Sequence, residues 1–150
     1  MHRRMRASSY AVVATSLFLA AAGTLSQAKG QQAASSAALD YEFFKTKVQP
    51  VFLNKRAGHT RCVVCHTINN APFHLVRLSP GSTTWNEEQS RQNFQLVQKV
   101  AQAGFEGSKL VVHPLAEEAG GDPHHGGGQQ FASKSDPDWQ TLHAWVLGAK

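Results

Sequence analysis

Methionine is almost absent from this chain of 150 residues: only Met1 and Met5 carry a thioether. Cysteine is as scarce, with Cys62 and Cys65 the only two, so a single pair is the most that oxidation can make. No segment alternates apolar and polar residues as a half-buried strand does, which argues against a sheet as the organising element. No apolar run reaches the roughly 20 residues that span a bilayer. The longest, Tyr10 to Ala22, falls well short. No stripe of Lys and Arg interleaved with aromatics is present, so nothing points to nucleic acid as a partner.

What is present begins with a targeting segment. His2-Arg3-Arg4-Met5-Arg6 is a basic head, the Tyr10–Ala22 run follows, and Ser26-Gln27-Ala28 puts small residues where a signal peptidase reads. That layout predicts a secretory signal over residues 1–28, cleaved after Ala28. The 15 basic and 10 acidic residues give +5. Removing Arg3, Arg4 and Arg6 leaves only +2, so the basic balance is partly a matter of targeting. Both methionines leave with the same segment. Residues 29–38 are small and polar and read as a flexible leader, and residues 39–150 as one exported domain. At 41% apolar residues, signal included, such a domain gains from a staple or a large cofactor.

The periodicity within the domain is helical. Leu39, Phe43, Phe44, Val48, Val51 and Phe52 recur at spacings of three and four, with Pro50 predicting a break or kink, an end near Gln49 and a short restart. Residues 69–88 read as loop and turn, with Trp85 to Glu88 opening the next helix. Phe94, Val97, Val100 and Ala101 share a face that predicts a helix reaching Gly104 or Gly107, and residues 108–118 a shorter helical piece around Pro114. Five glycines in the nine residues 120–128 exclude a regular element there. Ser135 or Asp136 as cap, Pro137 in the first turn and Gly148 at the close predict a terminal helix, with Trp139, Leu142, Trp145 and Val146 on one face. The expected fold class is all-α.

Four chemistries compete for Cys62-Val63-Val64-Cys65-His66. A redox dithiol has this cysteine spacing but expects a βαβ setting, which the chain lacks. A zinc site needs four ligands, and His59, His66 or His74 do not follow the usual knuckle spacing. A disulfide across so short a loop removes little chain entropy and leaves His66 unexplained. The fourth chemistry uses all three residues: both thiols add to the vinyl groups of one haem, and His66 coordinates its iron.

With CVVCH between an aromatic-bearing helix and the aromatic-rich DWQTLHAWV, residues 39–147 resemble the class I cytochrome c family. The resemblance is closest to exported bacterial monohaem variants with a histidine-and-glycine loop, here HPLAEEAGGDPHHGGG. It implies one haem c bound covalently through Cys62 and Cys65, with His66 as proximal ligand. It also implies that the first and last helices cross, Phe43 or Phe44 packing on Trp139, Leu142 or Trp145. Pro72 falls where the family places a proline that steadies the proximal histidine, and Asn69 or Asn70 is another acceptor for its proton. One departure is sharp. The family's methionine ligand has no counterpart in the mature chain, so the sixth position is open or goes to another residue. The resemblance favours His125, beside Gly126-Gly127-Gly128, with His124, His113 and His74 the other candidates. His59 and His143 read as ordinary surface or core positions, His143 even turned away from Trp139. Arg77 and Trp85 are the first choices to meet haem propionates.

Two imidazoles on iron stabilise the ferric state relative to a histidine–methionine pair and leave no vacancy for oxygen or peroxide. The expected function is therefore one-electron transfer in the periplasm or outside the cell, not enzymatic catalysis. Its partners would be redox proteins, as donor and acceptor, among them other cytochromes or a membrane redox complex. No small-molecule substrate is expected, and Glu87-Glu88 and Glu117-Glu118 read as solvated helix-end charges. Two alternatives stand beside this one. The chain is a haem subunit or assembly module of a larger redox complex, or a haem sensor or small-ligand enzyme whose sixth ligand can be displaced.

Overall fold

The computed structural model describes residues 38–68 and 73–150. The expected signal and nearly all of the leader, together with Asn69, Asn70 and Pro72, lie outside the described residues. Those described fold as an all-α domain, whose only β feature is an isolated parallel bridge between Leu115 and Phe131. Among them no helix is long and apolar enough to cross a membrane.

Helix α1 covers residues 41–53. The Asp40 carboxylate caps it by accepting the N–H of Phe43 at 2.6 Å. Of the break or kink expected at Pro50, no break occurs. A π turn, Phe44–Val48, leads directly into an α segment, Gln49–Leu53. Pro50 has no N–H to give Thr46, and its ring crowds the carbonyl one turn back. Widening that turn, so that the Gln49 N–H reaches the Phe44 carbonyl, relieves both problems without ending the helix. Phe44, Val48, Val51 and Phe52 thereby stay on one buried face.

Helix α2 is the single turn Cys62–His66. Helix α3, Glu87–Ala101, starts from a capping box in which Asn86 and Gln89 satisfy each other's backbone N–H groups. It stops short of the expected glycines because Gln102 already takes a left-handed conformation at φ 43°. The helical piece expected over 108–118 is two fragments: α4, Lys109–Val112, and a 3-10 turn, Glu117–Ala119, with Pro114 between them. Helix α5, Pro137–Val146, is capped by Asp136, which accepts the N–H groups of Asp138 and Trp139.

The three tryptophans hold these pieces together, each with its indole N–H on a backbone carbonyl, as a buried indole requires. Trp145 of α5 lies 5.2 Å from Phe44 of α1, centroid to centroid, and donates to the Asp40 carbonyl at 2.8 Å. Phe94 of α3 completes the junction, 5.4 Å from Phe44. Trp139 takes no part in that crossing. It bonds to the Val111 carbonyl and stacks on His143, which therefore shares its face, as the four-residue spacing dictates. Trp85 bonds to the Val76 carbonyl at 2.7 Å. Glu87 is not merely a solvated helix-end charge. It accepts the Tyr41 hydroxyl and pairs with Lys45 and Arg91, tying α1 to α3.

Candidate functional site

A cavity of about 690 Å³ lies between α2, α4, α5 and the glycine loop, a size ordinary for a cofactor site. Cys62, Cys65 and His66 line it from α2, His125 and Gly127 from the loop, and Phe131 and Leu142 from the core. The four residues singled out in the sequence thus meet at one place.

His66 and His125 stand in the same relation to their surroundings. The Nδ1 of His66 bonds to the Phe73 carbonyl at 2.7 Å, and the Nδ1 of His125 to the Gly128 carbonyl, also at 2.7 Å. A carbonyl only accepts, so each ring carries its proton on Nδ1 and leaves Nε2 as a free lone pair. Such outer bonds are what orient metal-ligating histidines. Burial lowers the pKa of both rings, against the raising effect of those carbonyls, and this favours the neutral form that a metal needs. The ring centroids are 6.2 Å apart. Two metal–nitrogen bonds of about 2 Å each, made from opposite sides of one ion, call for a separation of about 6 Å.

The loop geometry explains how His125 comes to this place. Gly121 packs on the Leu115 carbonyl so closely that a Cβ there would fall 1.9 Å from its oxygen. Gly128, at φ +78°, closes a turn by donating its N–H to the His125 carbonyl at 2.8 Å. Gly127 passes the cysteines, where a Cβ would sit 4.0 Å from the Cys65 sulfur.

The remaining histidines are placed differently. His124 is exposed and does not line the cavity. His74 is also off the wall, with Nδ1 3.3 Å from the Ile68 carbonyl. His113 does line it, edge-on to His125 at 4.9 Å, with Nδ1 3.0 Å from an Asp122 oxygen that also pairs with Lys109. His59 lies against Gly128. Neither Arg77 nor Trp85 reaches the cavity, and the cations on its wall are Arg61 and Lys109.

Two of the competing chemistries lose ground here. Burial pushes the Cys62 thiol up to about 11, whereas a reactive dithiol needs a lowered value. Although several such side chains line this cavity, among the described residues no three or more His, Cys, Asp or Glu side chains stand close enough together to hold one metal ion directly. No disulfide joins the two cysteines.

Sequence reasoning missed two features: the Phe73 carbonyl, one residue past the expected proline, and Gln130, whose buried amide meets the loop carbonyls. Comparison with protein-family models, with curated proteins and with solved structures gives no match.

Proposed function

We propose that this chain is an exported monohaem c-type cytochrome that carries single electrons between redox proteins. One observation carries the reading: two neutral imidazoles, each pinned through Nδ1, stand 6.2 Å apart beside the only two cysteines of the chain.

The residues fit a covalently held haem. Cys62 and Cys65 would hold it through two thioether bonds, with His66 as proximal and His125 as distal ligand. Such a group supplies one-electron exchange between ferric and ferrous iron. The chain's contribution is to hold and insulate it. Phe131, Leu142 and Leu110 give the cavity apolar walls that keep water from the ligands. Two orienting carbonyls strengthen both imidazoles as donors, which favours the ferric state and a low potential. Val64 in α2 and Ile68 just beyond it, the latter on the cavity wall, are about half exposed and offer a redox partner an apolar contact.

Low-temperature EPR of the oxidised holoprotein, produced with c-type haem maturation, tests this reading beside the His125→Ala variant. The expected result is a low-spin wild type and a high-spin variant. A high-spin wild type overturns the bis-histidine assignment and moves a sensor or small-ligand enzyme ahead. A low-spin signal unchanged by the substitution removes His125 as the ligand.

A further inference from the structure

We propose that Gln130 is a positioning residue for His125, an inference that rests on the ligation reading above. The loop that carries His125 has little to pack with, since three glycines follow it directly. Its rigidity must come from outside, and Gln130 supplies it. The side chain is buried, 7% exposed, and its amide nitrogen donates to the carbonyls of both Gly127 and Gly128 at 3.2 Å. The Gly128 carbonyl is the one that accepts the Nδ1–H of His125. Its two lone pairs are thus divided between the imidazole and the amide.

Gln130 is itself held firmly. Its N–H donates to the Pro114 carbonyl at 2.7 Å, the Phe131 N–H shares that acceptor at 3.0 Å, and the Phe131 carbonyl accepts the Ala116 N–H at 2.8 Å. The chain at 130–131 is therefore a fixed strut, pinned to the segment that follows α4. From it the amide reaches back across two residues and sets the direction of the carbonyl that orients the distal ring. The proximal side is built otherwise: among the described residues, the Phe73 carbonyl receives His66 alone.

Fixing the Gly128 carbonyl keeps His125 turned so that Nε2 stays free, and slows release of that ring to an exogenous ligand. Loss of a group bonded directly to a metal-ligating histidine costs about ten- to a hundredfold in metal affinity or activity, and Gln130, one bond further out, belongs at the lower end of that range. Gln130→Met keeps the length and shape of the side chain and removes both donated bonds. Gln130→Asn stays polar but is one methylene shorter, so it fails to span both carbonyls, and it serves if the Met variant does not fold. Gln129→Met is the control, since the Gln129 amide makes only a 3.4 Å contact with the Asp122 carbonyl.

The measurement is the rate of cyanide binding to ferric holoprotein, with the EPR spectrum of each variant. The expected result is binding about tenfold faster in Gln130→Met and Gln130→Asn, with altered low-spin g-values, and no change in Gln129→Met. Rates equal to wild type in both Gln130 variants overturn the inference, provided His125→Ala abolishes the low-spin signal. A low-spin signal that survives His125→Ala overturns the ligation reading and this inference together.

Discussion

The imidazole of His66 donates its Nδ1–H to the carbonyl oxygen of Phe73 at 2.7 Å, and the segment that carries this carbonyl is clamped from α3. Val76, three residues on, gives its N–H to the buried Asn93 side chain at 2.7 Å and receives the Trp85 indole N–H on its carbonyl. Asn93 in turn donates to Gln49, which donates to Ser90. Asn93→Ala leaves the Val76 N–H and the Gln49 oxygen without partners. We expect it to cost about 2 kcal/mol, because a buried polar group without a partner loses its hydration uncompensated. Trp85→Phe removes one donor and should cost about 1 kcal/mol less. Urea unfolding of both variants measures the difference, and equal costs would show that Asn93 is not the centre of the network.

The junction of Phe44, Phe94 and Trp145 is the second test of the fold. Trp145→Ala empties a fully buried site among three helices, and the expected loss is about 4 kcal/mol with an unchanged urea m-value. Trp145→Phe keeps the aromatic contact but removes the indole donor from the Asp40 carbonyl, which retains only the Phe44 N–H, at about 1 kcal/mol. A Trp145→Ala variant within about 1 kcal/mol of wild type would contradict the place given to this residue at the centre of the core.

Much of this organisation is legible in the residues. The three- and four-residue spacing of Phe44, Val48 and Phe52 marks a buried face, and Asp136-Pro137 marks a helix start, because both signals are local. Pro50 misled because its local rule competed with the burial of four side chains on one face, and a π turn let both be satisfied. The position of His143 was readable from its spacing to Trp139. The orienting groups were not readable. A backbone carbonyl such as that of Phe73 carries no mark in the sequence. The reach of Gln130 to Gly127 and Gly128 depends on how the loop closes, which no periodicity reports. His125 lay between these cases, since the glycines beside it signalled a close approach but not what it approached.

Attachment through the cysteines has a direct chemical test. In wild type exported with haem maturation, the mass should exceed that of the cleaved chain by one haem, and acid acetone should not extract it. Cys62→Ala and Cys65→Ala should each retain a single thioether, seen as a shifted pyridine haemochrome band, and the double variant should release its haem. A wild-type chain recovered without haem and with two titratable thiols would return the site to thiol chemistry.

The last prediction concerns acid. Burial tends to raise the Asp136 pKa, but hydrogen bonds from Arg56 and from the N–H groups of Trp139 and Asp138 outweigh it, and the carboxyl is held below its usual range. Arg56 also pairs with Asp138 and lies over Phe131, 4.5 Å from the ring centroid, so the pair braces a wall of the cavity. A depressed carboxylate stabilises the fold above its unfolded pKa of about 3.9, and that contribution disappears as pH falls through the folded value. Asp136→Asn keeps a good helix cap and removes the charge. Its stability deficit against wild type should therefore be constant between about pH 5 and 7 and shrink below about pH 4. Urea midpoints of the two proteins across that range decide the matter. A deficit that grows in acid would reverse the sign of the linkage, and one that never changes would mean the charge on Asp136 contributes nothing to the fold.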